Sequence, residues 1–108
     1  MISTDPVIDP NKNWVFQFGN LVSSEISIQM QNRDGLICFS VPFENRRRIY
    51  IELLAVNEEG KIIEGKYSLG TSRLKESVFF NVLNEGKLLQ GVPQGTLSRH
   101  SWTINRKD

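Results

Sequence analysis

Apolar and polar residues alternate with a period of two along most of this chain, and three polar, glycine-containing turns interrupt the alternation. The turns are Asn32-Arg33-Asp34-Gly35, Asn57-Glu58-Glu59-Gly60 and Asn84-Glu85-Gly86-Lys87, at roughly even spacing. A period of two places successive side chains on opposite faces of a strand, and a Gly-containing polar turn between two such runs marks a hairpin. Three consecutive β-hairpins are therefore predicted.

The first hairpin has one dry and one wet face. Ile26, Ile28 and Met30 alternate with Ser27, Gln29 and Gln31. A two-residue turn at Asp34-Gly35 sets Met30 opposite Phe39, Ile28 opposite Val41 and Ile26 opposite Phe43. Gln31 then faces Cys38, and Gln29 faces Ser40. A slip of one residue would oppose apolar to polar throughout, so the pattern selects the register. In the second hairpin, Asn57 and Gly60 suit a type I turn with a G1 bulge. That register sets Ala55 against Ile63, Ile51 against Tyr67 and Ile49 against Leu69, with an outer Glu52–Lys66 charge pair. The third hairpin is apolar on both faces, with Phe79-Phe80 and Leu88-Leu89 adjacent. Such a run suits a strand buried on both sides or covered by another subunit.

With a first strand from Trp14 to Phe18 and a last from about Arg99 to Asn105, about eight strands are predicted. No stretch sustains a helical period, and Ser72 to Ser77 has room for one helical turn. The expected fold is all-β: an antiparallel β-sandwich of about eight strands, with a small closed β-barrel as the alternative. The sandwich is preferred because the longer links, 19–25, 43–48 and 93–98, read as crossings between sheets. Residues 1–13, with Pro6 and Pro10, read as an extended N-terminal arm, 14–105 as a single β domain and 106–108 as a tail.

Composition narrows the function classes. The chain has 108 residues and a formal net charge of +1, so no global field directs it to nucleic acid or membrane, and any basic recognition is local. Cys38 is the single cysteine, which rules out an intramolecular disulfide and leaves too few ligands for a cysteine zinc site. No metal or cofactor is expected. The N-terminal residues lack a basic and apolar leader pattern, and no apolar run is long enough to span a bilayer, so a cytoplasmic location without membrane insertion is expected. A domain of a longer chain or a viral component would read the same way.

Few residues carry chemistry. Cys38 and His100 are the only candidates for a thiol–imidazole pair, and neither lies in a local catalytic signature. Glu64-Gly65-Lys66 resembles the Glu-x-Lys element of a nuclease superfamily in those letters only; the upstream aspartate and flanking helices are missing. A likeness to an eight-stranded calcium-and-lipid-binding sandwich rests on size and strand count, and the clustered loop aspartates that fold would need are absent. The sharpest charge feature is Arg46-Arg47-Arg48, whose guanidinium forks suit phosphate or carboxylate ligands. Arg33 is expected at a neighbouring turn, and Glu44, Glu58 and Glu59 are candidates to neutralise the run. No aromatic residue is read as interleaving with these arginines, so a base-stacking platform is not expected. Trp14 and Trp102 are candidate groove aromatics, with core positions as the alternative.

The sequence thus predicts a non-enzymatic interaction or assembly module. It would contact a partner chain or a second copy through sheet edges and the apolar residues Phe79, Phe80, Leu88 and Leu89. The alternative is a nucleic-acid or acidic-partner binder using Arg46, Arg47, Arg48 and Arg33. A hydrolase is the weakest reading.

Overall fold

The computed structural model describes residues 8–19, 25–98 and 101–108. Nine antiparallel strands form one sheet: β1 (Trp14–Phe18), β2 (Ile26–Ile28), β3 (Gln31–Arg33), β4 (Leu36–Pro42), β5 (Arg48–Val56), β6 (Ile62–Leu69), β7 (Glu76–Leu83), β8 (Leu88–Pro93) and β9 (Trp102–Arg106). Short 3-10 turns occupy Glu44–Arg46, Asn84–Gly86 and Gly95–Leu97, and the described residues contain no α-helix.

The sheet runs β2-β1-β9-β8-β7-β6-β5-β4-β3. Its two edge strands are consecutive in the chain, separated only by Gln29 and Met30, so the sheet curls strongly into a half-barrel until its edges come together there. The ninth strand has a definite origin. The run expected as one strand changes ladder partner at Gln29-Met30: β2 pairs β1, with Ile28 opposite Trp14 and Ile26 opposite Phe16, while β3 pairs β4. The expected Ile28–Val41 and Ile26–Phe43 pairs are replaced accordingly. Each strand of a twisted sheet is rotated against the last, so across many strands the two edges diverge. A strand at the meeting line then follows one edge with its first half and the other with its second.

The long links are not crossings. Segment 43–47 joins β4 to β5, 94–101 joins β8 to β9, and the link after β1 leads to β2; each pair is hydrogen-bonded within the one sheet. The hydrogen-bonded ladder runs through all nine strands as one strongly curled sheet.

Two hairpin registers illustrate what sets the strands. At the β3–β4 turn, Asp34 and Gly35 both have positive φ, 54° and 85°, and Gln31 faces Cys38 as the hydrophobic pattern requires. Left-handed values at both central positions are those of a type I′ turn, whose twist matches that of the flanking strands. At the β5–β6 turn, Ile49–Leu69, Ile51–Tyr67 and Glu52–Lys66 are opposed as expected. Nearer the loop, however, Ala55 faces Glu64 and Val56 faces Ile63. The loop is one residue longer than a type I turn with a G1 bulge, because the Asn57 side chain organises it: Oδ1 accepts from the backbone N–H of Lys61 (2.9 Å) and Ile62 (3.2 Å). The extra residue is absorbed by a bulge between Leu53 and Ala55.

The concave face carries the core. Trp14, Phe16, Phe39, Tyr67, Phe80 and Trp102 are buried among aliphatic residues from nearly every strand. Ile8, from the stretch read as an extended arm, is buried in the same cluster, and a turn follows it in which Asn11 N–H donates to Asp9 Oδ1. On the rim, Tyr67 and Glu76 pin the 94–97 turn. Tyr67 OH donates to Glu76 Oε2 (2.8 Å), lies within hydrogen-bonding reach of Gln94 O and accepts from Leu97 N–H (3.1 Å). The Glu76 carboxylate also accepts from the Thr96 N–H and Oγ1.

Gly91 sits between β7 and β9, and a Cβ there would overlap the carbonyl oxygen of Phe79. Gly91→Ala is expected to destabilise the fold by about 1–3 kcal/mol or more, since backbone cannot yield as a side chain can; a melting temperature unchanged from wild type would refute it. Tyr67→Phe keeps the ring and removes the hydroxyl, at an expected cost of about 1–3 kcal/mol in denaturant unfolding. The pH dependence has two limbs. Hydrogen bonds from Tyr67 and Thr96 hold Glu76 below its ordinary value, so its contribution is complete above the usual carboxylate range and is lost as pH falls through the depressed value. Burial, with the bond to Glu76 adding to it, pushes Tyr67 from 10.0 up to about 12, so its contribution is complete below 10.0 and fades as pH rises towards 12. Removing either limb by Glu76→Gln or Tyr67→Phe should flatten the corresponding arm of the stability curve.

Candidate functional site

The β4–β5 turn carries the arginine run, and its geometry follows from the chain around it. Pro42 ends β4, Phe43 N–H donates to Arg47 O (2.9 Å), and Glu44–Arg46 form one 3-10 turn. Arg46 takes a positive φ of 62°, a conformation that costs a non-glycine residue roughly 1–2 kcal/mol. Strain of this kind persists where the surroundings hold it in place.

The three guanidinium groups are differently placed. Arg47 lays its stem over Gly70, where a Cβ would stand 3.5 Å from Arg47 Cδ. Its guanidinium carbon lies 5.9 Å from the centre of the Phe43 ring, and Nε donates to Glu44 O (3.3 Å). Arg48 donates from Nε to Ser40 Oγ (3.0 Å) and from Nη2 to Ser40 O (3.3 Å). Arg46 is exposed, and among the described residues its side chain makes no hydrogen bond or ion pair.

No carboxylate among the described residues pairs with any of the three. The ion pairs are Lys61–Glu59, Lys75–Glu52, Arg106–Asp108 and Lys107–Glu25. Glu58 and Glu59 belong to the β5–β6 turn at the other end of β5, and Glu44, in the arginine turn itself, makes no ion pair with the run among the described residues. Arg33 is not a neighbour of the run either. It pairs with Leu36 at one end of β4 and Arg48 pairs with Pro42 at the other. Six residues of strand separate the two positions by about 20 Å.

A shallow concavity of about 540 Å³ opens beside the turn. All three arginines line it, with Gly70, Thr71 and Ser72 from the β6–β7 link and with Tyr50. Tyr50 was absent from the sequence-level candidates, although the signal for it exists. Arg48, Tyr50 and Glu52 alternate along β5, so a strand that exposes the arginine exposes the tyrosine too, and Tyr50 is 48% exposed. An aromatic ring does stand beside the arginines. Tyr50 also borders a second concavity of about 340 Å³, lined by Gln29, Gln31, Arg33, Cys38, Ser40 and Glu52 among others. The two concavities therefore flank one exposed ring on the convex face of β3, β4 and β5.

The remaining candidates fall elsewhere. Phe80 and Leu89 are in the core, Leu88 is half-buried, and Phe79 is 40% exposed. On the convex face Phe79 opposes Val92, itself 52% exposed, while Asn81 and Gln90 separate this pair from Leu83 and Leu88. The apolar surface is thus smaller than adjacent Phe79-Phe80 and Leu88-Leu89 suggest. Trp14 and Trp102 are both buried in the core, Trp14 Nε1 donating to Asp9 O and Trp102 packing edge-on against Tyr67 at 5.1 Å. Glu52 and Lys66 are opposed, but Glu52 Oε1 lies 2.7 Å from Lys75 Nζ, and Lys66 Nζ donates instead to Ser77 Oγ. His100 lies outside the described residues.

Comparison with family models, with curated proteins and with solved structures found no match to this chain. Among the described residues, no group of three or more His, Cys, Asp or Glu side chains is placed to hold a metal ion, and no helix is long and apolar enough to cross a membrane.

Cys38 is half-buried on the convex face, and burial followed by the charge of Glu52 pushes its thiol up. Thiol reactivity follows the thiolate fraction. Cys38 is therefore expected to react with iodoacetamide at pH 7.5 more slowly than free cysteine; an equal or faster rate would overturn that description of its surroundings.

Proposed function

We propose that this domain is a non-enzymatic binding module that engages an anionic partner through the arginine-bearing end of its sheet. The observation that carries the reading is the lack of a carboxylate partner for Arg46, Arg47 and Arg48 among the described residues. Surface charge runs are ordinarily solvated or paired and contribute little. Here two of the three side chains are already fixed, Arg47 on Gly70 and Phe43 and Arg48 on Ser40, so a ligand orders fewer rotamers on binding. The curled sheet is read as an incompletely closed barrel, with β2 and β4 flanking its seam and the binding surface on the convex side.

A second reading is contact with another protein chain through the convex face of β7 and β8. Phe79 and Val92 favour it, being opposed, apolar and exposed. Contact through sheet edges has less support, because each edge strand has three residues and the two edges adjoin.

The arginine reading predicts salt-sensitive binding of a labelled polyanion, either polyglutamate or a single-stranded oligonucleotide, by fluorescence anisotropy. Replacing Arg46, Arg47 and Arg48 together by alanine should remove most of it and reduce its salt dependence. Arg46→Glu, which breaks no side-chain hydrogen bond or ion pair among the described residues, should weaken it at least several-fold without lowering the melting temperature. Binding of neither polyanion at low salt, or affinity indifferent to Arg46→Glu, rejects the reading. A dimer in sedimentation that Val92→Ser converts to monomer would favour the second.

A further inference from the structure

We infer that the anionic partner is a single-stranded nucleic acid, whose backbone is held by Arg46, Arg47 and Arg48 and one of whose bases stacks on Tyr50. This inference rests on the arginine end being a binding surface and adds the class of ligand.

Two observations separate a nucleic acid from an acidic peptide, and a third separates a single strand from one phosphate group and from a duplex. The first is the exposed ring. Tyr50 borders the arginine-lined concavity, and an exposed aromatic beside a positively charged groove is the arrangement that takes successive bases without sequence preference. A peptide of acidic residues presents carboxylates and has no aromatic ring to stack there. The second is what lies beyond the ring. The concavity on the other side of Tyr50 offers amide groups from Gln29 and Gln31, the Ser40 hydroxyl and the Arg33 guanidinium. Amide and hydroxyl groups donate and accept, as base edges and sugar hydroxyls require. The one carboxylate there, Glu52, is bound to Lys75 at 2.7 Å, which offsets its charge.

The third observation is length. Arg48 and Arg33 stand at opposite ends of β4, about 20 Å apart, with Tyr50 bordering the concavities between them. Cations at the two ends of a path with an aromatic ring along it match a strand of several nucleotides rather than one phosphate group. A duplex fits less well, because its bases are stacked on one another and present no free face to a tyrosine ring.

The experiment compares a labelled twelve-nucleotide single strand with polyglutamate of matched charge, on the intact domain and its variants. Expected is preferential binding of the oligonucleotide. For single strands the slope of log affinity against log salt is about −0.7 per neutralised phosphate, so the triple arginine variant should lose about 2 from any slope it retains. Tyr50→Ala should weaken oligonucleotide binding roughly tenfold and leave polyglutamate binding unchanged, and Tyr50→Phe should restore it. Oligonucleotide affinity indifferent to Tyr50→Ala overturns the inference. So does polyglutamate binding as tightly as the oligonucleotide, and in both cases the proposed anionic binding module survives. A domain that binds neither probe removes the inference and the proposed function together.

Discussion

Contact across the concave face of the curled sheet, centred on Phe16, is the constraint on which the rest of the structure depends. Phe16 belongs to β1, yet its ring lies 6.4 Å from Phe39 of β4, 5.6 Å from Trp102 of β9 and 5.0 Å from Phe18. In the sheet β1 and β4 are six places apart, so the contact with Phe39 exists only because the sheet folds back on itself. A fully buried ring of this size costs about 3–5 kcal/mol to remove, a large part of the 5–15 kcal/mol that typically holds a domain together. Tyr67 and Trp102 extend the cluster along the concave face, and Phe18 with Phe43 extends it towards the arginine turn.

The same curl places the candidate binding surface. Side chains alternate across the sheet, so the positions between core residues of β5 face outward on its convex side. Ile49, Ile51 and Leu53 are held in the core, which leaves Arg48, Tyr50 and Glu52 directed to solvent. Phe43 connects the two sides: it packs against Phe18 and also lies beneath the guanidinium of Arg47. A loop arginine therefore rests on the outermost ring of the core rather than on mobile chain. The arginine end inherits its shape from the packing behind it.

Much of the local structure is legible in the sequence, because local registers are set by alternation and turn chemistry. The Gln31–Cys38 and Ile51–Tyr67 pairings follow from which slip would bury polar residues. The break at Gln29-Met30 is not legible in this way. Ile28 and Met30 both stay buried across it, so the alternation is uninterrupted while the hydrogen-bonding partner changes. The change of partner, from β1 on one side of the break to β4 on the other, leaves no mark on a period of two. The longer β5–β6 loop escaped for another reason: the Asn57 side chain competes with the backbone for the loop N–H groups, and the Leu53/Ala55 bulge then restores the register. At the site, the arginine run is plain in the sequence, but the position of every nearby carboxylate is a tertiary property. Tyr50 was within reach of the same alternation that placed the core, had its outward phase been read alongside Arg48.

The hydrogen bonds between Arg48 and Ser40 have a consequence for solubility. Phe43 N–H bonds to Arg47 O, so the odd-numbered residues of β4 carry the ladder to β5, and the Ser40 carbonyl points the other way. The ladder from β3 ends at Cys38, and none joins β2 to β4 among the described residues. Ser40 is thus the first acceptor on an unzipped length of strand, where the edge of a second molecule could add itself and begin an aggregate. The guanidinium of Arg48 already occupies that acceptor and sets a charge at the opening. One arginine would then serve two ends: it offers a cation to a ligand on the convex face, and it denies a template to stray strands.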